Sequence, residues 1–269
     1  MGLDPSEIMV AAGKLSLLIV AHNEEQRIGD CIASGKAADE VVVLLDRSTD
    51  ATGDIATGMG ARTVSGAWPD EGERRSAGIA ACTGDWILEL DSDERISPRL
   101  AAELRAAIGA RDVDYYLIPF RNHVGGRWIE HGWGAYNGVG AKAALFRHDA
   151  KRWLGGTVHP EIRLEGRKAW LKGHIDHFID ADLSDMYDRL NRNTSAAAAD
   201  ALAQGKIPRA RTTFRRFFSR FLKSYWQRKG YREGWRGIAL AFFSGLYPVL
   251  THLKILERME NSPDGKKTG

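Results

Sequence analysis

Three acidic residues, Asp91, Asp93 and Glu94, stand within four positions of the chain. They follow residues 86–90 (WILEL), an apolar run with the length of a buried strand. Carboxylates this close repel one another, so the cluster destabilises the fold unless a cation lies among them. Alternate residues at a strand exit can aim two hard oxygen ligands at Mg²⁺ or Mn²⁺, which makes Asp91 and Asp93 candidate metal ligands. A short Asp-x-Asp also occurs by chance as a solvated turn.

The segments around this cluster alternate between continuous apolar runs and helical patterns. Helices are predicted after each strand, with Asn23 as the N-cap of the first and Ser48 or Thr49 as the cap of the second. Alternation of this kind predicts an α/β fold whose sheet is parallel and covered on both faces. Such sheets bind ligands at the carboxyl ends of their strands, where this chain carries HNEE, DRSTD and DSDE. The predicted strands are 15–21, 40–45, 62–65 and 86–90.

Composition sets broad limits on function. The chain has 269 residues and a net charge of +3, so nothing in its overall charge indicates a polyanion-binding protein. Cys31 and Cys82 lie in apolar helical patterns without metal-ligand spacing, which predicts buried thiols and fits a reducing cytoplasm. The first fourteen residues carry acids and lack the pattern of a signal peptide.

Glycine-rich phosphate loops are missing after the first strand. The chain contains neither G-x-G-x-x-G nor G-x-x-x-x-G-K-[ST], which argues against a dinucleotide dehydrogenase and a P-loop ATPase. The remaining interpretation is a nucleotide held by side chains, with its diphosphate neutralised by a divalent metal.

Three segments of the first hundred residues resemble glycosyltransferase family 2, the inverting enzymes of the GT-A fold. They are LLIVAHNEE, STDAT and RSAGIAACTGDWILELDSDE. The resemblance implies a Rossmann-like, mostly parallel central sheet flanked by helices. It also implies that Glu24 and Asp46 cradle the nucleoside, Arg75 approaches the diphosphate, and Asp91 with Asp93 binds Mg²⁺ or Mn²⁺. One departure concerns Asp46, since Leu45 stands where the family often has a second aspartate.

Downstream segments are similar to the branch that includes the lipopolysaccharide core β-1,4-glucosyltransferases. The similarity lies in 155–178, 183–202 and 221–257, while 127–149 is only partly matched and should face the acceptor. The resemblance implies a hexose donor, such as UDP-glucose, and a lipid-linked saccharide acceptor.

An inverting transfer needs one base to deprotonate the acceptor hydroxyl. The segment TVHPEI offers His159 and Glu161, and WIEHGW offers Glu130 and His131. Glu161 is the favoured base because the family's His-Glu element lies in this segment, although Pro160 intervenes. His159 is the alternative base or an acceptor contact.

The remaining histidines could be mistaken for metal ligands, an interpretation that the sequence does not favour. His174 and His177 have an i, i+3 spacing beside a predicted strand, so structural roles are expected for both. His22 is expected to pack at a strand exit.

The last ninety residues change character. A helix is predicted from Asp182 or Ser184 to Gly205, and residues 209–236 then hold ten Lys/Arg and one acid. Aromatic residues repeat there at helical spacing, with basic residues beside and opposite them: Phe214, Phe217, Phe218, Phe221 and Tyr225, then Arg215, Arg216, Arg220 and Lys223.

A basic amphipathic helix with aromatics is typical of an interfacial membrane segment. The uncharged residues 237–250 are shorter than the roughly 20 residues that a span needs, so an interfacial hairpin is predicted. The alternative is a helix packed on the catalytic core with a solvated basic face.

The sequence therefore predicts a glycosyltransferase peripheral to the inner face of a bacterial cytoplasmic membrane, binding anionic lipid and no nucleic acid. Alternatives are a polyprenyl-phosphate sugar transferase, a nucleotidyltransferase and an inactive membrane adaptor. Three parts are predicted: a nucleotide-sugar half (1–97), an acceptor half (98–180) and a helical membrane-associating extension (181–269).

Overall fold

The computed structural model describes residues 13–133, 140–154, 161–205 and 207–261. Its strands are β1 (Leu15–Ala21), β2 (Glu40–Asp46), β3 (Arg62–Gly66), β4 (Trp86–Asp91), β5 (Glu94–Ile96), β6 (Tyr115–Val124), β7 (Arg127–Trp128), β8 (Ala141–Arg147), β9 (Lys151–Leu154), β10 (Glu161–Leu164), β11 (Lys168–Trp170) and β12 (Ile175–Asp180). Its α-helices are α1 (Ile28–Ser34), α2 (Thr52–Gly58), α3 (Glu71–Ala81), α4 (Pro98–Ile108), α5 (Leu183–Ala203), α6 (Ala210–Leu222) and α7 (Trp235–Glu260).

The chain divides into two compact units. The first is formed by the described residues of 1–120 and 139–177, and the second by those of 121–138 and 178–269. The first unit holds most of the sheet, and the second holds the long helices α5, α6 and α7.

The first half of the sheet is parallel, in the order β3-β2-β1-β4. Its register places Ala21 opposite Leu45 and Val20 opposite Asp91, so β1, β2 and β4 end at the same level. This edge is where the sequence places HNEE, DRSTD and DSDE. The predicted collection of polar residues along one edge therefore follows directly from the register.

Both faces of the parallel strands are covered, which explains their continuous apolar sequences. All seven residues of β1 are buried. Leu15 and Leu17 belong to the core cluster that includes α1 and α4, whereas Leu18 packs with Ile79 of α3 in the cluster of the opposite face. Cys31 and Cys82 are buried free thiols, one in each cluster, as predicted.

The second half of the sheet is antiparallel. Strand β8 runs antiparallel to both β4 and β6, and β12 and β5 complete the order, with β5 antiparallel to β12. Strands β9 and β10 form a separate antiparallel pair. The predicted α/β class with a helical C-terminal extension is confirmed, and the sheet as a whole is mixed.

The second unit is a helical assembly in which α6 and α7 pack antiparallel. Phe217 lies against Gly245, where a Cβ would lie 3.0 Å from the Phe217 carbonyl oxygen, so a larger residue there would push the helices slightly apart. Helix α5 begins at Leu183 with the Asp182 side chain accepting from the Asp185 N–H, which confirms Asp182 as the cap. Residues 237–250 lie within one continuous helix, α7, which pairs with α6 as a helical hairpin.

Candidate active site

Two loops at the carboxyl edge of the sheet are locked together by reciprocal hydrogen bonds. The Asn23 N–H donates to Ser48 Oγ at 3.2 Å, and the Thr49 N–H donates to Asn23 Oδ1 at 2.8 Å. Asn23 has a left-handed backbone, with φ of 54°, which asparagine tolerates better than most residues. Its predicted role as a helix N-cap is wrong, because its side chain bridges the loops and α1 begins only at Ile28.

The acids of both loops take part in the same lock. The Glu25 N–H donates to Asp50 Oδ2 and the Ala51 N–H donates to Glu25 Oε2, both at 3.1 Å. The predicted caps of α2 are also wrong. Ala51 is the residue before that helix, and the Thr52 N–H donates to the carboxylate of Asp50. The spacing of HNEE and STD therefore reflects a loop–loop interface.

Glu24 lies at this edge, half-buried. Its N–H donates to Thr52 Oγ1 at 2.7 Å. Burial raises the pKa of Glu24 against the opposing charge of Arg27, and the charge of Asp93 raises it further. The structure thus brings Glu24 into the electrostatic range of Asp93, and its contact with the nucleoside stays a prediction.

Asp46, at the end of β2, is buried and flanked by two arginines. Its carboxylate accepts from Arg47 Nη1 and Arg74 Nη1, each at 3.3 Å, and from the Trp68 N–H at 3.3 Å. Its backbone carbonyl lies 2.6 Å from His22 Nδ1, which fits the packing role expected of His22. The nucleoside-binding role of Asp46 stays a prediction, and two cations already neutralise its charge.

Arg75 is the most densely bonded side chain of the site. It donates to Glu89 at 2.6 Å, to Asp91 at 2.7 Å and to Glu71, and its guanidinium lies 4.9 Å from the ring centroid of Trp153. Burial alone would lower the pKa of Arg75, but Asp91 and Glu89 outweigh burial and raise it. In this arrangement its donors serve three carboxylates, and its predicted contact with the diphosphate stays a prediction.

The cation that the acidic cluster requires comes in part from Lys142 of β8. Lys142 Nζ lies 3.3 Å from Asp91 and 3.1 Å from Glu94. Burial would raise the pKa of Asp91, but Arg75 and Lys142 hold this pKa well below its usual range. For Glu94 burial prevails and raises the pKa, although the charge of Lys142 opposes this effect. Sequence reasoning missed Lys142, although it is a lone charge in the apolar stretch GVGAKAALF.

Asp93 has a different partner, His177. His177 Nε2 lies 3.4 Å from Asp93 Oδ2, and both side chains are 24% exposed. Burial alone would lower the pKa of His177, but the hydrogen bond and charge of Asp93 raise it. The antiparallel pairing of β12 with β5 places His177 opposite Glu94, a long-range register that the sequence does not reveal. The prediction of a purely structural role overlooked this contact.

The fit of a divalent metal follows from these donors. Carboxylate oxygen is the ligand that Mg²⁺ and Mn²⁺ prefer, and imidazole can complete such a set. Asp93 and His177 are adjacent and accessible, whereas Asp91 is held by Arg75 and Lys142. Within the described residues no three metal-binding side chains form a ready cluster. A metal there would take its other ligands from Asp91, water or a bound phosphate.

The favoured base, Glu161, opens strand β10 and is exposed. Its strand pairs with β9, opposite Leu154. Strand β9 is anchored at the acidic cluster, since Lys151 Nζ lies 2.7 Å from Glu89 and Trp153 covers Arg75. The hairpin therefore starts from the candidate site. His159 lies outside the described residues.

The other candidate bases belong to the second unit. Buried Glu233 accepts from the N–H groups of Glu130 and His131, at 3.2 and 3.0 Å, and its carboxylate lies 2.9 Å from His131 Nδ1. His131 is thus engaged by Glu233, while the Glu130 side chain is exposed. His174 lies 3.4 Å from Asp176, as a structural histidine would.

Comparison with protein families decides the class of this chain. Residues 16–162, more than half of the chain, match the profile of glycosyl transferase family 2. The chain belongs to this family. The matched range runs from β1 into β10 and includes Asp91, Asp93 and Glu161, but it stops before His177 and the helices α5, α6 and α7.

Individual relatives agree with the family. The lipopolysaccharide core biosynthesis glycosyltransferase LpsC of Rhizobium meliloti is 25% identical over 262 residues, covering 93% of this chain and 94% of LpsC. A glycosyltransferase of Rickettsia typhi is 28% identical over 203 residues, covering 72% of this chain and 70% of its own. A solved structure of glucosyl-3-phosphoglycerate synthase from Mycobacterium tuberculosis, with Mn²⁺ and UDP, is 28% identical with a TM-score of 0.34. That alignment covers 42% of this chain and 45% of the other, so this chain spans less than half of that structure.

In this family 2 enzyme, we expect Glu89→Gln to lower the free energy of unfolding by about 3–5 kcal/mol at pH 7, because it breaks a buried charge network. Glu89 is fully buried between Lys151 and Arg75. Burial would raise its pKa, but these cations lower it from 4.5 to about 2. Its contribution is therefore complete above pH about 4.5 and is lost as the pH falls towards 2. Urea unfolding at pH 7, 5 and 3 should show the difference between the two proteins shrinking with acid.

The matched control is Glu73→Gln, an exposed acid on the same helix as Arg75, for which a change within about 0.5 kcal/mol is expected. A Glu89→Gln variant as stable as the parent at pH 7 would show that the fold does not depend on the network.

Proposed function

We propose that this family 2 enzyme is a metal-dependent, inverting glycosyltransferase that moves a hexose from a UDP-sugar, such as UDP-glucose, to a lipid-linked saccharide such as lipopolysaccharide core. The observation that carries the proposal is the pairing of Asp93 with His177 at the carboxyl edge of the sheet, in a chain that matches family 2. Similarity to LpsC over nearly the whole of both chains supports the acceptor class.

The proposed metal site consists of Asp93 and His177, with Asp91 beside them. A divalent cation bound there would neutralise the charge of the departing diphosphate. Arg75 and Lys142 hold Asp91 ionised and in place. Glu24 and Asp46, on the neighbouring interlocked loops, are the proposed contacts of the nucleoside.

Asp93→Asn and His177→Ala should each lose Mn²⁺-dependent binding of UDP, because each removes one ligand of the proposed site. Isothermal titration of UDP with and without Mn²⁺ measures this directly. Thermal stability of Asp93→Asn without metal should be equal or slightly higher, since the change removes a negative charge near Glu24 and Glu94. His174→Ala is the control for loss of a histidine. Full transferase activity of Asp93→Asn in EDTA would contradict the metal proposal.

Proton transfer is assigned to Glu161. Its carboxylate takes the proton of the acceptor hydroxyl while that oxygen attacks the anomeric carbon, and the bond from this carbon to the diphosphate breaks on the opposite face. The exposure of Glu161 allows an acceptor to approach, and the β9–β10 pair ties its strand to the acidic cluster.

Glu161→Gln should lower turnover by about 10²–10⁴-fold, the usual contribution of positioned proton transfer. Binding of UDP with Mn²⁺ should stay unchanged, because the donor contacts lie elsewhere. The control is Glu165→Gln, an exposed acid just after the same strand that pairs with Arg163. An active Glu161→Gln, together with a strong loss in His159→Ala or Glu130→Gln, would move the base to that residue.

The second unit supports attachment to the membrane surface through exposed apolar side chains on α6 and the turn after it. Phe214, Phe218 and Leu222 are 57%, 62% and 58% exposed, and Trp226 is 70% exposed. They recur every four residues, so they form one stripe. Exposed residues of α7 add to the apolar surface of this unit: Trp235, Ile238, Phe242, Leu253 and Leu256.

Helix α7 alone among the described helices has the length and composition to cross a membrane, conditions that a buried core helix also satisfies. One face of α7 is buried within the second unit, at Leu240, Ala241, Gly245 and Ile255. Attachment of the exposed face of α7 to a membrane surface accounts for both the buried and the exposed apolar residues of this helix. We place the enzyme on the inner, anionic face of the cytoplasmic membrane.

The enzyme should bind vesicles of phosphatidylglycerol and phosphatidylethanolamine, with binding weakened but not abolished by about 1 M salt, because salt screens charges and not apolar insertion. Phe218→Ser with Trp226→Ser should remove most of the salt-resistant binding in co-sedimentation. Trp170→Ser is the control, since Trp170 is 60% exposed in the first unit. An enzyme that stays in the supernatant at low salt would contradict the proposal.

A further inference from the structure

A cationic cavity lies beside α6 and α7 of the second unit. Its volume is about 520 Å³, within the range of small-molecule sites. Arg216, Arg220 and Lys223 line it, and none of the lining residues that the structure describes is acidic. These three side chains form no ion pair with any described carboxylate. Arg216 and Lys223 are exposed at the rim of the cavity, as the predicted solvated basic face requires, whereas Arg220 is partly buried.

The inward position of Arg220 has a cause in the sequence. Pro248 stands inside α7 and has no N–H, so the carbonyl of Ser244, four residues earlier, lacks its usual helical donor. Arg220 Nη1 donates to this carbonyl at 3.3 Å. The structure therefore differs from the predicted solvated basic face at Arg220. The carbonyl left without a helical donor by Pro248 accepts from the Arg220 guanidinium, which lies between the helices.

Arg220 has fewer hydrogen-bond acceptors around it than its guanidinium has donors. A guanidinium carries five N–H donors, and Ser244 O is the one protein acceptor found for Arg220 among the described residues. Its charge lies 5.3 Å from the ring centroid of Trp133 and 5.7 Å from that of Tyr247. Burial lowers the pKa of Arg220, and the charge of Arg216 lowers it further against the influence of Tyr247. An anion in the cavity would relieve both effects.

A second, partly apolar cavity adjoins the cationic one. It has a volume of about 280 Å³ and shares Trp133, Arg220 and Tyr247 with it. Its other walls combine apolar Met186, Leu190, Leu240 and Phe243 with polar Arg189, Asn193 and Ser244. The main chain at Trp133 is fixed, because its backbone N–H donates to buried Ser224 Oγ at 2.9 Å. A ligand filling both spaces would carry an anionic group and an apolar body.

We propose that these two cavities form a binding site for a phosphate group carried on an apolar body, with the phosphate at Arg216, Arg220 and Lys223 and the apolar part against Trp133 and Tyr247. Three uncompensated cations match the charge of a phosphate better than that of a carboxylate. The guanidinium fork of Arg220 suits its oxygens. The site lies in the second unit and requires neither the metal nor the donor of the proposed transfer reaction.

The test is isothermal titration of the full chain with dihexanoyl phosphatidic acid below its micelle concentration. Inorganic phosphate represents the free anion, and dihexanoyl phosphatidylcholine represents the apolar body without a net charge. Phosphatidic acid should bind most tightly. Arg220→Met, which keeps an apolar stem between the rings, should weaken it about tenfold or more, the size of a lost charge-assisted hydrogen bond.

Arg216→Met combined with Lys223→Met gives a second variant that leaves the Arg220–Ser244 contact intact, and it should also weaken binding. Arg215→Met is the matched control, because Arg215 is an exposed cation of the same helix that lines neither cavity. Binding of UDP with Mn²⁺ is measured in parallel, so a failed donor site is distinguished from a failed phosphate site.

Three results would overturn the proposal. The first is that phosphatidic acid does not bind to the unaltered chain. The second is that inorganic phosphate or phosphatidylcholine binds equally well. The third is that Arg215→Met weakens binding as much as Arg220→Met, which would indicate diffuse surface charge.

Discussion

The candidate active site depends on one buried guanidinium. Arg75 joins α3 to β4 through Glu71, Glu89 and Asp91, and Trp153 of β9 covers it. A buried arginine without carboxylates would destabilise the fold by several kcal/mol, and so would a buried Glu89 without cations. Each charge is tolerated because the others are present. The helix, the central strand and the β9–β10 pair therefore meet at one electrostatic junction, and the acidic edge of the sheet is built on it.

The crowding of acids after β4 is resolved by dividing them between partners. Asp91 and Glu94 share Lys142, whereas Asp93 turns to His177. The protein's own cations thus relieve part of the repulsion within the cluster. Asp93 and His177 stay partly exposed, and they are the pair to which we assign the metal. In this proposal, structural stability and metal binding depend on different members of one short motif.

Local sequence patterns predicted much of this arrangement. Continuous apolar strands indicated a sheet covered on both faces, Asp182 indicated the start of α5, and the register of β1, β2 and β4 brings the predicted polar motifs to one edge. Contacts that depend on the pairing of strands far apart in the sequence were not predicted. Lys142 and His177 reach the acids through β8 and β12, which are antiparallel additions whose register no local pattern encodes. Asn23 was misassigned because its side chain serves a distant loop rather than its own helix.

The two units treat positive charge in opposite ways. In the first, Arg75, Lys142 and Lys151 each lie within 3.3 Å of a carboxylate, so their charges are compensated within the protein. In the second, Arg216, Arg220 and Lys223 converge on a cavity whose described walls carry no acid. Arg220 is partly buried there, and desolvation penalises an uncompensated cation, so a bound anion would stabilise it. The compensated charges of the first unit serve its architecture, whereas the uncompensated charges of the second unit are those to which we assign a ligand.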